Sequence, residues 1–402
     1  MKKIIYIPSF SAGVQGNCAK KNGYFCNDIP ARFWQSDYPF RPYKNFLLTA
    51  GHDYKKMDTR ERFGLNNGSL VFGDSGGYQI ASGAIKWDLS IRQQIFEWLE
   101  HNSDIAMNLD IPPRMKYEGR YEECLKISTE NFKYFYENQS RKTNFLNVLQ
   151  GNNLKSFENW YNQIKSFEFQ GWSIGGVINN TFKLIISIVV LSKYKEFSKK
   201  NNKYLHILGT TRIVDFILLN QTQKSLEEMG VNIQVTTDSS SPSRSTVFGN
   251  MYFGYDLKKM SYISKHFKRD MFSDYKEIIP MPYTSEFSNI LNEKGMTLNE
   301  VCEFGNDGYL AMTHNNLYVF LESIDKINYY MDAPQYLKEQ IFDKDILWLC
   351  DVIDKIIKDE NPEKVFLKNE MRIKQIANKL DLLDVEQQKI TTNNSMFKII
   401  TE

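Results

Sequence analysis

The chain has no Cys-x-x-Cys pair: its five cysteines, Cys18, Cys26, Cys124, Cys302 and Cys350, are scattered and odd in number. That pattern excludes a disulfide-stapled scaffold and a cysteine-rich zinc ribbon, and makes the reduced thiols of a cytoplasmic protein the default. Long hydrophobic runs are missing too. The longest, Leu184 to Leu191, is far short of the roughly 20 residues of a membrane span. The opening Met1-Lys2-Lys3-Ile4-Ile5-Tyr6-Ile7-Pro8 is too short for a secretory signal and reads as a first strand. Charge of one sign is scarce: Lys+Arg 50 against Asp+Glu 48 leaves +2. Any phosphate-binding surface must therefore come from local clustering. There is no internal repeat and no low-complexity tract. Apolar and aromatic residues, 42% and 14% of 402, are plentiful enough for a large core, either one big domain with an appendage or two domains.

Short β-branched runs recur at Lys3–Ile7, Phe46–Thr49, Ser69–Phe72, Asp104–Leu109, Asn144–Leu149, Gly171–Ile174, Tyr204–Leu208 and Asn232–Thr236, giving eight candidate strands. Helical patterns lie between most of them. Leu154, Phe157, Trp160, Tyr161 and Ile164 share a face; Asp88 is placed to cap a helix burying Ile91, Ile95 and Leu99; Ile213, Phe216, Ile217 and Asn220 recur before Leu226. Such alternation means parallel strands with crossover helices. Eight strands over about 240 residues fit an α/β fold of the (β/α)8 TIM-barrel type, with an open doubly wound sheet as the rival. The barrel is expected over residues 1–285, with an appended C-terminal helical region over 286–402 carrying helical segments Tyr309–Tyr330 and Gln335–Lys358.

The polar punctuation sits where a barrel keeps its sites. Asp74, Asp110, Gln150, the Gly175-Gly176 pair, Gly209 and Asp238 each follow a candidate strand, so closure brings them to one mouth. Bland readings exist for each. Asp74-Ser75-Gly76-Gly77 is also a tight Asx turn, and Asp110-Ile111-Pro112-Pro113 also a proline-terminated strand. Gln150 also suits a bond to loop backbone, the glycine pair close helix packing, and Asp238 a helix cap. In the N-terminal segment Lys20, Lys21, Arg32, Arg41 and Lys44 interleave with Tyr24, Phe25, Phe33, Trp34, Tyr38 and Tyr43, as in a nucleic-acid surface or an aromatic core plug.

Taken in order, six segments resemble the queuine/guanine transglycosylase superfamily, which exchanges a guanine in nucleic acid for a 7-deazaguanine. They are Asp74-Ser75-Gly76-Gly77-Tyr78-Gln79, Ser103 to Asp110, Asn147-Val148-Leu149-Gln150-Gly151, Gly171 to Val177, Leu205-His206-Ile207-Leu208-Gly209, and Asp238 with Pro242 and Arg244. The resemblance implies that Asp238 is the nucleophile and Asp74 the proton carrier. Asp110 would accept from the base's N1–H and amino edge, Gln150 and the Gly176 amide would address its carbonyl edge, and Tyr78 would stack on it. Ser75, Gly175, Val177 and Gly209 are the other implied substrate positions, and Arg244 the implied nucleic-acid contact. No cofactor is implied.

The chain departs from the pattern in three places. Pro112 stands where the family usually has a cysteine; the Cys-x-Cys-x-x-Cys cluster and distant histidine of tRNA-acting members are missing; and Val247 replaces their second arginine. No structural zinc is expected, and His314 reads as a buried or helix-surface histidine rather than a ligand. These departures make the DNA 7-deazaguanine transglycosylases of phages and bacterial genome islands the better match, with DNA and a free base such as 7-cyano-7-deazaguanine as partners. Alternatives are a tRNA-guanine transglycosylase, a barrel enzyme for sugars or phosphate esters, and a non-catalytic partner subunit. A cytoplasmic protein without membrane contact is expected, as a possible homodimer, in a host cytoplasm if phage-encoded.

Overall fold

A computed structural model describes residues 2–9, 23–26, 28–40, 42–65, 68–274, 277–282 and 285–393, with side chains to residue 382. All eight candidate strands form: β1 Ile5–Pro8, β2 Asn45–Thr49, β3 Leu70–Asp74, β4 Ile105–Met107, β5 Asn144–Leu149, β6 Gly171–Ile174, β7 Tyr204–Ile207 and β8 Gln234–Ser239. They pair in parallel in the order β2-β3-β4-β5-β6-β7-β8-β1. β1 and β2 then come into contact at the seam, where the Tyr43 hydroxyl donates to the Tyr6 carbonyl. The sheet is a nearly closed (β/α)8 barrel, not an open sheet.

The crossover helices follow their sequence signals. Asp88 caps Leu89–Asn102 by accepting from the Ile91 amide, and Ile95 and Leu99 face the core. Asn153 and Ser156 form a reciprocal cap on Leu154–Ile164, which buries Phe157, Trp160, Tyr161 and Ile164. Ile213–Glu228 buries Ile213, Phe216, Ile217, Asn220 and Leu226. Each is an apolar face laid on the sheet, the arrangement that takes the largest area out of water.

Two expectations shift. Asp74 and Asp238, expected just after their strands, both lie within them, because the neighbouring strands carry the ladder on through Thr49↔Asp74 and Ile7↔Asp238. The segment Gln335–Lys358 is two helices, Gln335–Ile341 and Lys344–Lys358, separated where Phe342 is buried and Asp343 caps the second by accepting from the Asp345 amide.

After the barrel comes an antiparallel hairpin, β9 Asn250–Asp256 with β10 Ser261–His266, irregular between Tyr252 and Gly254. Helices Asn306–Met331, Lys344–Lys358 and Pro362–Asn393 pack on the barrel helices Thr181–Lys193 and Ile213–Glu228. Most of the N-terminal aromatics fit the plug reading, Tyr24 alone of the six being exposed. Phe25, Phe33 and Trp34 are buried, and Phe25, Phe33 and Tyr38 surround His314. The nucleic-acid reading loses these rings; Lys20, Lys21 and Arg41 lie outside the described residues, as does Cys18. His314 is buried, bonded at Nδ1 to the Tyr38 hydroxyl at 2.8 Å, and held down to about 3 by burial. No helix among the described residues is long and apolar enough to cross a membrane.

Candidate active site

A cavity of about 1220 Å³ opens at the C-terminal ends of the strands, and Asp74, Tyr78, Asp110, Gln150, Gly175, Gly176, Gly209, Asp238 and Arg244 all line it. Ser75 and Val177 do not. Ser75 is buried with its Oγ donating to the Asn108 carbonyl at 3.1 Å, tying the Asp74 loop to the end of β4. The Val177 side chain is buried in the core. The side chains of these two expected substrate positions therefore turn inward, whereas those of Asp74 and Tyr78, near Ser75, face the cavity.

Asp74 ends β3 beside Thr49, whose hydroxyl donates to Oδ2 at 2.8 Å. On the other oxygen the Gly76 amide donates to Oδ1 at 3.3 Å, the Asx-type contact of a tight turn. Gly76 then sits at φ +85°, with its absent Cβ directed 2.5 Å from the Gly51 Cα. Only glycine fits a left-handed backbone pressed on another backbone. Burial pushes the Asp74 carboxyl up from the ordinary carboxylate range; the Thr49 and Gly76 donors oppose this, and the Asp238 charge adds to it.

Asp110 is aimed inward by the loop that follows β4. Ile111 donates to Ser128 Oγ at 2.9 Å and Asn131 donates to the Leu109 carbonyl at 3.0 Å. Pro112 and Pro113 then deny the strand a continuing ladder. Its carboxylate accepts from Gln150 Nε2 at 2.7 Å, so Gln150 bonds to a side chain and not to loop backbone. Burial pushes Asp110 up to about 6, partly offset by Gln150 and by Arg114. Gly176, at φ +71°, leaves open the space where a Cβ would stand 2.7 Å from Gln150 Oε1.

Asp238 is not a helix cap: Ser241–Val247 begins after Ser240, with no side-chain cap bond. Its Oδ1 instead accepts from the Gly209 amide at 2.9 Å and contacts His206 Nε2 at 3.2 Å. The rim is apolar and cationic. Tyr78 is 47% exposed, with the Arg114 guanidinium 4.9 Å from its ring centre, and Arg244 lies 5.8 Å from the ring centre of Phe248, itself 57% exposed.

Sequence reasoning missed several lining residues: Thr49, Arg114, Arg212, and the hairpin's Tyr252, Tyr262 and His266. The two runs rich in aromatic and β-branched residues, Tyr252, Phe253 and Tyr255 and then Tyr262 and Ile263, were the available signal for the hairpin. Arg212 carried no motif. Its role shows only in the fold, where it pairs with Asp215 at 2.7 Å and bonds to Asp381 of the C-terminal helix at 2.5 Å. No protein-family model matches the chain, and no curated protein matches it.

Proposed function

We propose that the chain is a base-exchange transglycosylase that replaces guanine in DNA with a 7-deazaguanine through a covalent aspartyl-glycosyl ester. One observation carries the reading: Asp74 and Asp238, from opposite parts of the sequence, open into one cavity with a third carboxylate, Asp110, held by Gln150 beside them. Asp238 attacks the anomeric carbon as the bond to guanine breaks. The bonding electrons leave on the purine, whose ring nitrogen takes a proton from Asp74. The incoming base returns that proton to Asp74, attacks the same carbon and releases the carboxylate, so two inversions retain configuration. Asp110 accepts from the base's ring N–H and amino group, and Gln150 and the Gly176 amide address its carbonyl edge.

The cavity is larger than the usual small-ligand pocket of about 300–1,000 Å³, which suits a nucleotide turned out of its stack. The preference for DNA over tRNA rests on the sequence, where no Cys-x-Cys-x-x-Cys cluster occurs and Val247 occupies the rim position of a second arginine.

The test incubates the protein with guanine-containing DNA or tRNA and a labelled 7-deazaguanine base, then separates products under denaturing conditions. The expected result is a denaturation-resistant DNA adduct and label in DNA, with Asp238→Asn lowering both by at least about a thousandfold. Label entering only tRNA moves the reading to that polymer. Turnover of small glycosides without nucleic acid, or an Asp238→Asn protein that forms and resolves adduct like its parent, refutes it.

A further inference from the structure

We infer that His206 is a positioning residue that fixes which oxygen of Asp238 attacks and assists that carboxylate when it leaves. The inference rests on the base-exchange reading above. His206 lies on β7 with 0% exposure, against the Phe72 ring at 5.2 Å between centres. A fully buried imidazole is costly unless its nitrogens are bonded. Strand register provides both partners: Thr236↔His206 sets Thr236 Oγ1 2.8 Å from Nδ1, and Asp238, two residues further along β8, meets Nε2 at 3.2 Å.

The carboxylate decides the tautomer. An imidazole protonated only at Nδ1 would turn the Nε2 lone pair onto an ionised carboxylate, two acceptors facing each other. Protonation at Nε2 satisfies both ends, with Thr236 donating to Nδ1 and Nε2–H donating to Asp238. The Gly209 amide donates to the same Oδ1 at 2.9 Å, while Oδ2 accepts no hydrogen bond among the described residues. One oxygen is held by two donors, and the other is left with its lone pairs for the sugar.

The consequence differs between the two half-reactions. In the first, a C1′–Oδ2 bond forms as the C1′–purine bond breaks, the electron pair goes to the purine, and Oδ1 becomes the ester carbonyl. In the second, the incoming ring nitrogen attacks C1′, the C1′–Oδ2 pair returns to the carboxylate, and negative charge reappears on Oδ1. The two donors strengthen as that charge returns, so they assist resolution more than formation.

The experiment measures adduct formation and its resolution by added base separately, in single turnovers, for the parent, His206→Phe, His206→Gln and Thr236→Val. His206→Phe is expected to slow resolution by roughly ten- to a hundredfold, with formation changing far less, so that adduct accumulates. His206→Gln, which restores an N–H, recovers most of the rate; Thr236→Val slows resolution in the same direction by a smaller factor. A folded His206→Phe protein that resolves adduct at the parent's rate overturns the inference. So does nitrogen NMR of the resting parent showing the Nδ1–H tautomer. Should His206→Phe fail to fold, Thr236→Val decides, and unchanged resolution there overturns it. A parent that forms no adduct defeats the base-exchange reading together with this one, whereas a parent that does so while the variants match it defeats this one alone.

Discussion

Asp74 and Asp238 line the same cavity, yet the surroundings of their oxygens are opposite in kind. Asp74 has one donor on each oxygen, a hydroxyl from Thr49 and a long contact from the Gly76 amide, and burial pushes its carboxyl up. Asp238 has both of its donors on Oδ1, from Gly209 and His206. A carboxyl raised by desolvation is better suited than an ordinary one to pick up and give back a proton. A carboxylate pinned through one oxygen is suited to attack through the other. The difference comes from register: β2 puts Thr49 beside Asp74, whereas β7 puts His206 beside Thr236, one side-chain step from Asp238.

The largest expected break in that comparison is Asp74→Asn. It preserves shape but cannot carry a proton, so exchange of guanine for labelled base should slow by about 10²–10⁴, while binding of free base changes little. Equal exchange rates in Asp74→Asn and parent would remove the division of labour.

Asp110 provides a control, an acid raised by the same cause but assigned no bond-making role. Burial pushes it to about 6 from 3.8, so between those values the folded chain keeps a proton that the unfolded chain has released. Its contribution to stability is full below about pH 4 and is lost as pH rises through about 6, a change on the order of 2–3 kcal/mol. Asp110→Asn should flatten that decline when denaturation midpoints are compared across this window. Base affinity should move the other way in the parent, tightening as pH rises through about 6, since the ionised form accepts from the ring N–H and amine. Parallel stability curves for parent and variant would show that Asp110 titrates without cost to the fold.

How legible all this was depended on the length scale of each signal. Strand existence was readable because eight apolar runs, each a few residues long and separated by helical periodicity, admit few topologies. Helix faces such as Phe157, Trp160 and Ile164 were readable for the same reason. Strand ends were not, because β8 runs on to Ser239 only by pairing with β1, from the far end of the chain. The inward turn of Ser75 was also hidden. A serine beside a catalytic-looking aspartate has the same letters whether it faces a ligand or the Asn108 carbonyl. His206 stands within a matching segment, but its meaning depends on Thr236 and Asp238, some thirty residues away. Arg212 is the extreme case, because Asp381 lies 169 positions along the chain.

The smallest expected effect tests the comparison at its origin, the hydroxyl on Asp74. Thr49→Val is nearly isosteric at a buried position and removes the donor to Oδ2. That donor favours the ionised carboxyl, so losing it should raise Asp74 further. The inflection in the pH–rate profile assigned to Asp74 should then move to higher pH, with the plateau rate and the Asp238 adduct little altered. His206→Gln, acting on the other acid, should leave that inflection in place. If both substitutions move the same inflection by the same amount, the two carboxylates titrate as one coupled pair, and the separate roles drawn from their donors fail together.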